Sequence, residues 1–181
     1  LRINLAHLRR NVRTLSRLCA QHGIRITGVT KVFRGDPIIA DILIQGGISM
    51  LGDSRVANLR RLEGLPAEKW LIRPPMLSET EDLVRFADAS LNSEIEVIRA
   101  IDREALRQGR RHKIILMADL GDIREGYVDY GELLADARET ALMRGAELYG
   151  LGVNLTCFSF VQPDAGKMAE LCALAQRISD R

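Results

Sequence analysis

Lys31 closes the β-branched run Ile24-Arg25-Ile26-Thr27-Gly28-Val29-Thr30, and its type and place make it the side chain best suited to chemistry in this 181-residue chain. A primary amine that is partly desolvated at a strand end has its pKa lowered and attacks a carbonyl carbon to form an imine. The plainer account of the same residue is a solvated surface cation. The loop Asp119-Leu120-Gly121-Asp122-Ile123-Arg124-Glu125-Gly126 offers a second centre. Two glycines bracket Arg124 there, and a planar guanidinium makes forked hydrogen bonds to an oxyanion or a phenolate. A solvated turn with local ion pairs accounts for the loop as well. Asp53-Ser54-Arg55 reads either as pocket-lining polar residues or as a helix start, with a capping side chain followed by a surface arginine. Asn154-Leu155-Thr156-Cys157 ends a strand in small polar groups. Strand alternation puts Asn154 and Thr156 on one face, and Cys157 is either a reactive thiol or a small buried hydrophobe. His7, His22 and His112 fall away from these strand ends and are read as structural.

The elements that must position these residues alternate along the whole chain. Leu5, Leu8, Val12, Leu15 and Leu18 recur at spacings of three and four, which predicts an amphipathic helix over 3–21, ended by Gly23. A strand over 24–30 follows, then a loop in which Asp36 is the expected N-cap and Pro37 the first helical residue. Helices are expected over 38–45, 55–62, 79–86, 94–108, 130–143 and 165–179, and strands over 49–51, 70–72, 89–91, 113–118 and 147–153. Strands thus begin near residues 24, 48, 69, 88, 113 and 147, each flanked by helices. This is α/β with parallel strands. No GxGxxG or P-loop is present, and the polar groups gather just after the strands, where barrel enzymes build their sites. The expected fold is a (β/α)8 TIM-type barrel with about six of its eight βα units in this chain. Residues 1–181 form a partial barrel domain.

Composition narrows the function. Lys plus Arg number 26 against 24 Asp plus Glu, so no strong field recruits nucleic acid or an anionic membrane surface. The longest apolar stretches, such as 114–117, fall far short of the ~20 residues that span a bilayer, and no signal-peptide pattern is visible. The expectation is a soluble cytoplasmic protein. Cys19, Cys157 and Cys172 show neither a CxxC pair nor zinc-ligand spacing, which points to reduced thiols and no metal. The chain opens on Leu1 and stops in a charged helical pattern at Asp180 and Arg181, and is expected to be a fragment.

Several runs together resemble one family: Ile3-Asn4-Leu5 with His7-Leu8-Arg9, Gly28-Val29-Thr30-Lys31-Val32 with Gly35-Asp36-Pro37, Leu51-Gly52-Asp53-Ser54-Arg55, Leu91-Asn92-Ser93-Glu94, the 119–126 loop, and Gly152-Val153-Asn154-Leu155-Thr156-Cys157. The chain is similar to the alanine/ornithine racemases, fold-type III pyridoxal-phosphate enzymes, through nearly its whole length. The resemblance implies an isomerase that interconverts L- and D-amino acids by abstracting the α-proton from an external aldimine. It makes Lys31 the Schiff-base lysine and the base on one face, and Arg124 the arginine that approaches the cofactor's phenolic oxygen. In many alanine racemases a carbamylated lysine seven residues before that arginine orients it, and here that position is Met117. Asn154 and Thr156 carry over as cofactor-side residues, and Asp53, Ser54, Arg55 and Cys157 as substrate or pocket residues. The resemblance further implies a homodimer, a small amino-acid substrate, and a C-terminal β domain outside this chain that brings the second base from the partner subunit.

Three other readings are open to the sequence. A non-catalytic single-domain pyridoxal-phosphate carrier shares the barrel and the lysine without the second base. A Schiff-base aldolase also uses a lysine amine on such a barrel, but usually from a later strand than the first. A purely structural βα domain needs each feature to be local capping and solvation.

Overall fold

Capping side chains open four of the helices: Asn4 Oδ1 accepts from His7 N, and Asp36, Asp129 and Asp164 do the same for Ile38, Gly131 and Lys167. In the computed structural model, which describes residues 2–157 and 159–180, the expected alternation is borne out. The elements run α1 (Leu5–Ala20), β1 (Thr27–Val29), α2 (Pro37–Gln45), β2 (Met50–Asp53), α3 (Val56–Arg60), β3 (Glu68–Leu71) and α4 (Thr80–Phe86). They continue with β4 (Ala89–Asn92), α5 (Ile95–Arg107), β5 (His112–Met117), α6 (Tyr130–Ala141), β6 (Ala146–Gly152) and α7 (Ala165–Ser179). Short 3-10 turns cover Lys31–Phe33 and Leu77–Glu79. Of the expected domain span, Leu1, Phe158 and Arg181 lie outside the described residues.

Two compact units make up the chain. The first comprises Leu1–Ile72 with Phe86–Asp88, the second Arg73–Arg85 with Ala89–Arg181. In the first, β1 pairs with β2 and β2 with β3, all parallel. Helix α1 presents Val12 to α2, and a Cβ on Gly46 would lie 2.4 Å from Val12 Cγ1, so only glycine allows that approach. Asp88 Oδ2 accepts from Lys69 N at 2.7 Å and Asp88 N donates to Lys69 O at 2.7 Å, anchoring β3.

The second unit pairs β4 with β5 and β5 with β6, again in parallel. Helix α5 buries Val97, Ile98, Ile101 and Ala105, the spacing of one helical stripe, and packs on β5 and β6. Each fully buried isoleucine contributes on the order of 1.5–3 kcal/mol of transfer free energy. Asp102 on the same helix accepts from Gly145 N (2.6 Å) and Ala146 N (2.9 Å), fixing where β6 begins. Between Ile114↔Leu148 and Ile115↔Gly150 the register slips by one residue, a bulge that leaves Tyr149 outside the ladder.

Strand β1 is shorter than expected. Gly23 adopts φ +68 and Ile24 N donates to Cys19 O at 3.0 Å, so Ile24 closes the end of α1 and residues 24–26 connect it to the sheet without joining it. Strand β2 runs later than expected and takes in Asp53, so α3 begins at Val56 with Arg55 at its N-cap and no side-chain cap bond.

Candidate functional site

In the first unit the sequence-predicted residues meet around Thr30. This threonine follows β1 and is fully buried, as is Asp53 at the end of β2. Thr30 Oγ1 donates to Asp53 Oδ2 at 2.6 Å, and the other carboxylate oxygen accepts from Arg55 N (3.0 Å) and Asn58 Nδ2 (2.9 Å). The carboxylate is thus met by one hydroxyl, one backbone amide and one side-chain amide, as a buried anion requires. Lys31 comes next in the chain, on the first position of the 3-10 turn, and its side chain is exposed. The partial desolvation expected for this amine is therefore not provided by the described residues, because the lysine has already left the strand.

The turn after Lys31 is held tightly. Arg34 takes a left-handed φ of 56 and Gly35 one of +62. A Cβ on Gly35 would stand 2.6 Å from Asn58 O, and Arg61 Nη1 donates to Arg34 O at 2.9 Å. Helix α3 therefore grips the Lys31 turn from beside it. Ser54 is half-buried and Arg55 exposed, both at the same strand end.

The second unit assembles Arg124, Glu125, Asn154 and Cys157. Arg124 Nε pairs with Glu125 Oε2 at 3.1 Å, and Nη1 donates to Cys157 Sγ. Glu125 Oε1 in turn accepts from Asn154 Nδ2. Met117, at the position of the lysine named above, is buried and makes no such bridge, so the carboxylate of Glu125 orients the guanidinium instead. Ile123, a β-branched residue, is held at φ 53 beside Arg124, and backbone strain of this kind collects where a side chain must be aimed. The loop is tied down on both sides: Tyr127 N donates to Met117 O (2.8 Å) and Lys167 Nζ to Leu120 O (2.7 Å). Burial, with a bond to Asp136, pushes the Tyr127 phenol far above its ordinary range, and burial with the Glu170 bond raises Tyr130 to about 12.

Thr156 departs from expectation. Strand β6 ends at Gly152, so alternation does not place Asn154 and Thr156 on one face. Thr156 lies in a left-handed conformation, φ 63, and its hydroxyl donates to Leu155 O at 2.6 Å. Cys157 is exposed, which removes the buried-hydrophobe alternative. Thr30, Asn58 and Glu125 were not singled out from sequence. The parallel register, with Val29 opposite Gly52, puts Thr30 beside Asp53 and would have revealed that pair.

Each cluster offers its own chemistry, the first an amine that can condense with an aldehyde and the second a guanidinium that can meet an anionic oxygen. The Lys31 amine receives or donates no hydrogen bond among the described residues and is open to condensation. Arg124 keeps Nη2 without a partner among those residues, a donor for an oxyanion. No group of His, Cys, Asp and Glu among the described residues is arranged to hold a metal ion. Nor is any helix among them long and apolar enough to cross a membrane.

Comparison with known proteins adds to this geometry. The profile of the family described as "Alanine racemase, N-terminal domain" matches residues 3–180. The chain is 35% identical over 176 residues to "Ornithine racemase" of Acetoanaerobium sticklandii, covering 97% of this chain and 50% of that one. It is 35% identical over 178 residues to "Lysine racemase" of Thermotoga maritima, covering 97% and 49%. The chain spans about half the length of the curated relatives it matches. Among solved structures, PipY of Synechococcus elongatus PCC7942 with PLP bound superposes with a TM-score of 0.73 at 17% identity, covering 93% of this chain and 82% of that one. That likeness shows the fold, a βα barrel of which this chain holds six consecutive strands with their helices.

Proposed function

Because the chain belongs to the alanine racemase N-terminal domain family, we propose that it is the cofactor-bearing part of a pyridoxal-phosphate-dependent amino-acid racemase. The observation that carries this reading is Lys31: an exposed primary amine on a turn that α3 holds rigid. When bound, the cofactor supplies an electron sink for the pair left behind as the substrate's α-proton departs. Lys31 Nζ would hold the cofactor through its carbonyl carbon, and the same amine would take or return that proton on one face of the α-carbon. Arg124 would offer Nη2 to the cofactor's phenolic oxygen, with Glu125 and Asn154 keeping its plane fixed. This reading assigns Ser54, Arg55 and Cys157 to the substrate side and Thr156 to the cofactor side.

Inversion needs a second base on the opposite face, which this reading assigns to a β domain beyond the length matched here, contributed by the partner subunit of a cytoplasmic homodimer. Ornithine, lysine and alanine form the substrate class to screen first. The single-domain carrier reading draws support from the 82% of PipY that the chain covers. The 35% identity to two racemases outweighs it.

The test is an absorbance spectrum of the intact protein with pyridoxal phosphate, before and after borohydride, followed by peptide mapping and a racemisation assay. A reduced adduct on Lys31 that Lys31→Ala abolishes, together with loss of optical rotation from an L-amino acid, is the expected result. An adduct without racemisation favours the carrier, and an adduct on another lysine removes the reading.

A further inference from the structure

Thr30 ties the turn that carries Lys31 to β2, with every polar group it owns engaged. Its N–H donates to Gly52 O at 2.8 Å, its carbonyl accepts from Phe33 N and Gly35 N at 3.2 Å each, and Oγ1 donates to Asp53 Oδ2 at 2.6 Å. Asp53 is fully excluded from solvent, and no cation meets its carboxylate among the described residues. Burying a carboxylate with neutral donors alone is costly, and helix capping does not account for it here. The N-cap of α3 is Arg55, and the oxygen that serves α3 through Arg55 N and Asn58 Nδ2 is not the one that serves Thr30. One oxygen is committed to the Lys31 side and the other to the helix that abuts Gly35.

We propose that Asp53 is the positioning residue for Lys31: through Thr30 it fixes the end of β1, and through Asn58 the wall against which the Lys31 turn folds back. The Cα–Cβ bond of Lys31 then leaves the turn in one direction, so no backbone freedom is lost when the amine condenses. Asp53 touches neither cofactor nor substrate in this account. The inference rests on the assignment of Lys31 as the cofactor-bearing lysine.

The experiment is a spectral titration of the intact protein with pyridoxal phosphate, with borohydride trapping and peptide mapping, on wild type, Thr30→Val, Thr30→Ser and Asp53→Asn. Asp102→Asn serves as a control that loosens a brace at β6. Thr30→Val keeps the shape and removes the donor, and should weaken condensation at Lys31 about tenfold, the usual size of a supporting-residue effect. Thr30→Ser should restore it, and Asp102→Asn should lower the melting temperature while leaving condensation as in wild type. Should Thr30→Val fail to fold, Asp53→Asn carries the same expectation. Wild-type affinity in Thr30→Val or Asp53→Asn, with the adduct still on Lys31, overturns this inference alone. A wild-type protein whose adduct forms on no lysine, or on another one, overturns the cofactor reading and this inference with it.

Discussion

Around Lys31 a buried carboxylate is met by neutral donors, whereas around Arg124 a carboxylate and a guanidinium pair with one partner partly open to solvent. Thr30 and Asp53 are wholly excluded from water, while the Arg124 side chain is 32% exposed and pairs with a Glu125 side chain that is 10% exposed. The first arrangement is short-ranged, insensitive to salt and intolerant of shape change. The second gains from Coulomb attraction that solvent and ions weaken. A lysine that must condense with one atom benefits from the stiffer mounting. An arginine that meets a diffuse anionic charge tolerates the looser one.

Gly35→Ala attacks the stiff mounting directly. Its φ of +62 and the 2.6 Å approach of a new Cβ to Asn58 O should cost about 2–4 kcal/mol in denaturant unfolding. A loss under about 0.5 kcal/mol, the size of an ordinary surface substitution, would mean that α3 does not grip the turn.

Tyr127→Phe tests the base of the Arg124 loop, where the phenol donates to Asp136 at 2.6 Å. Losing that bond should cost about 1 kcal/mol near neutrality. The folded protein holds the phenol's proton above its ordinary 10.0, so the unfolded chain ionises first. The contribution is therefore present below pH 10.0 and lost as pH rises beyond it. Wild type should lose stability in alkali more steeply than Tyr127→Phe, and parallel curves would remove the burial argument.

Glu125→Gln should have the smallest effect on stability, below about 1 kcal/mol in low salt and shrinking as salt is added. A salt-independent loss of several kcal/mol would place Arg124 in the same class as the Lys31 mounting and erase the contrast between the two regions.

Much of this arrangement was legible in the sequence because it rests on local chemistry. Asp36 followed by Pro37 states a helix start, and α7 runs over the expected Ala165–Ser179 because its stripe is uninterrupted. Residues 24–26 misled because a short alternating apolar run suits a strand and the irregular connection after a helix equally well. Only the bond from Ile24 N to Cys19 O decides between them. Asp53 was visible as a polar residue after a strand, but its partner Thr30 is distant in sequence and emerges only from the register of β1 on β2. Glu125 was hidden by its neighbour, since Arg124 attracted the reading and the carboxylate that holds it looked like ordinary loop charge. The expected shared face of Asn154 and Thr156 failed because alternation is a property of paired strand, and pairing stops at Gly152.

Tyr149 is one residue more than the ladder between β5 and β6 can use, and the register slips around it between the pairs Ile114↔Leu148 and Ile115↔Gly150. A single-codon deletion there would leave every pair intact while straightening the strand that leads to Asn154. The aim of Asn154, and with it the hold on Glu125 and Arg124, is therefore open to revision by a change in chain length as well as by a change of side chain.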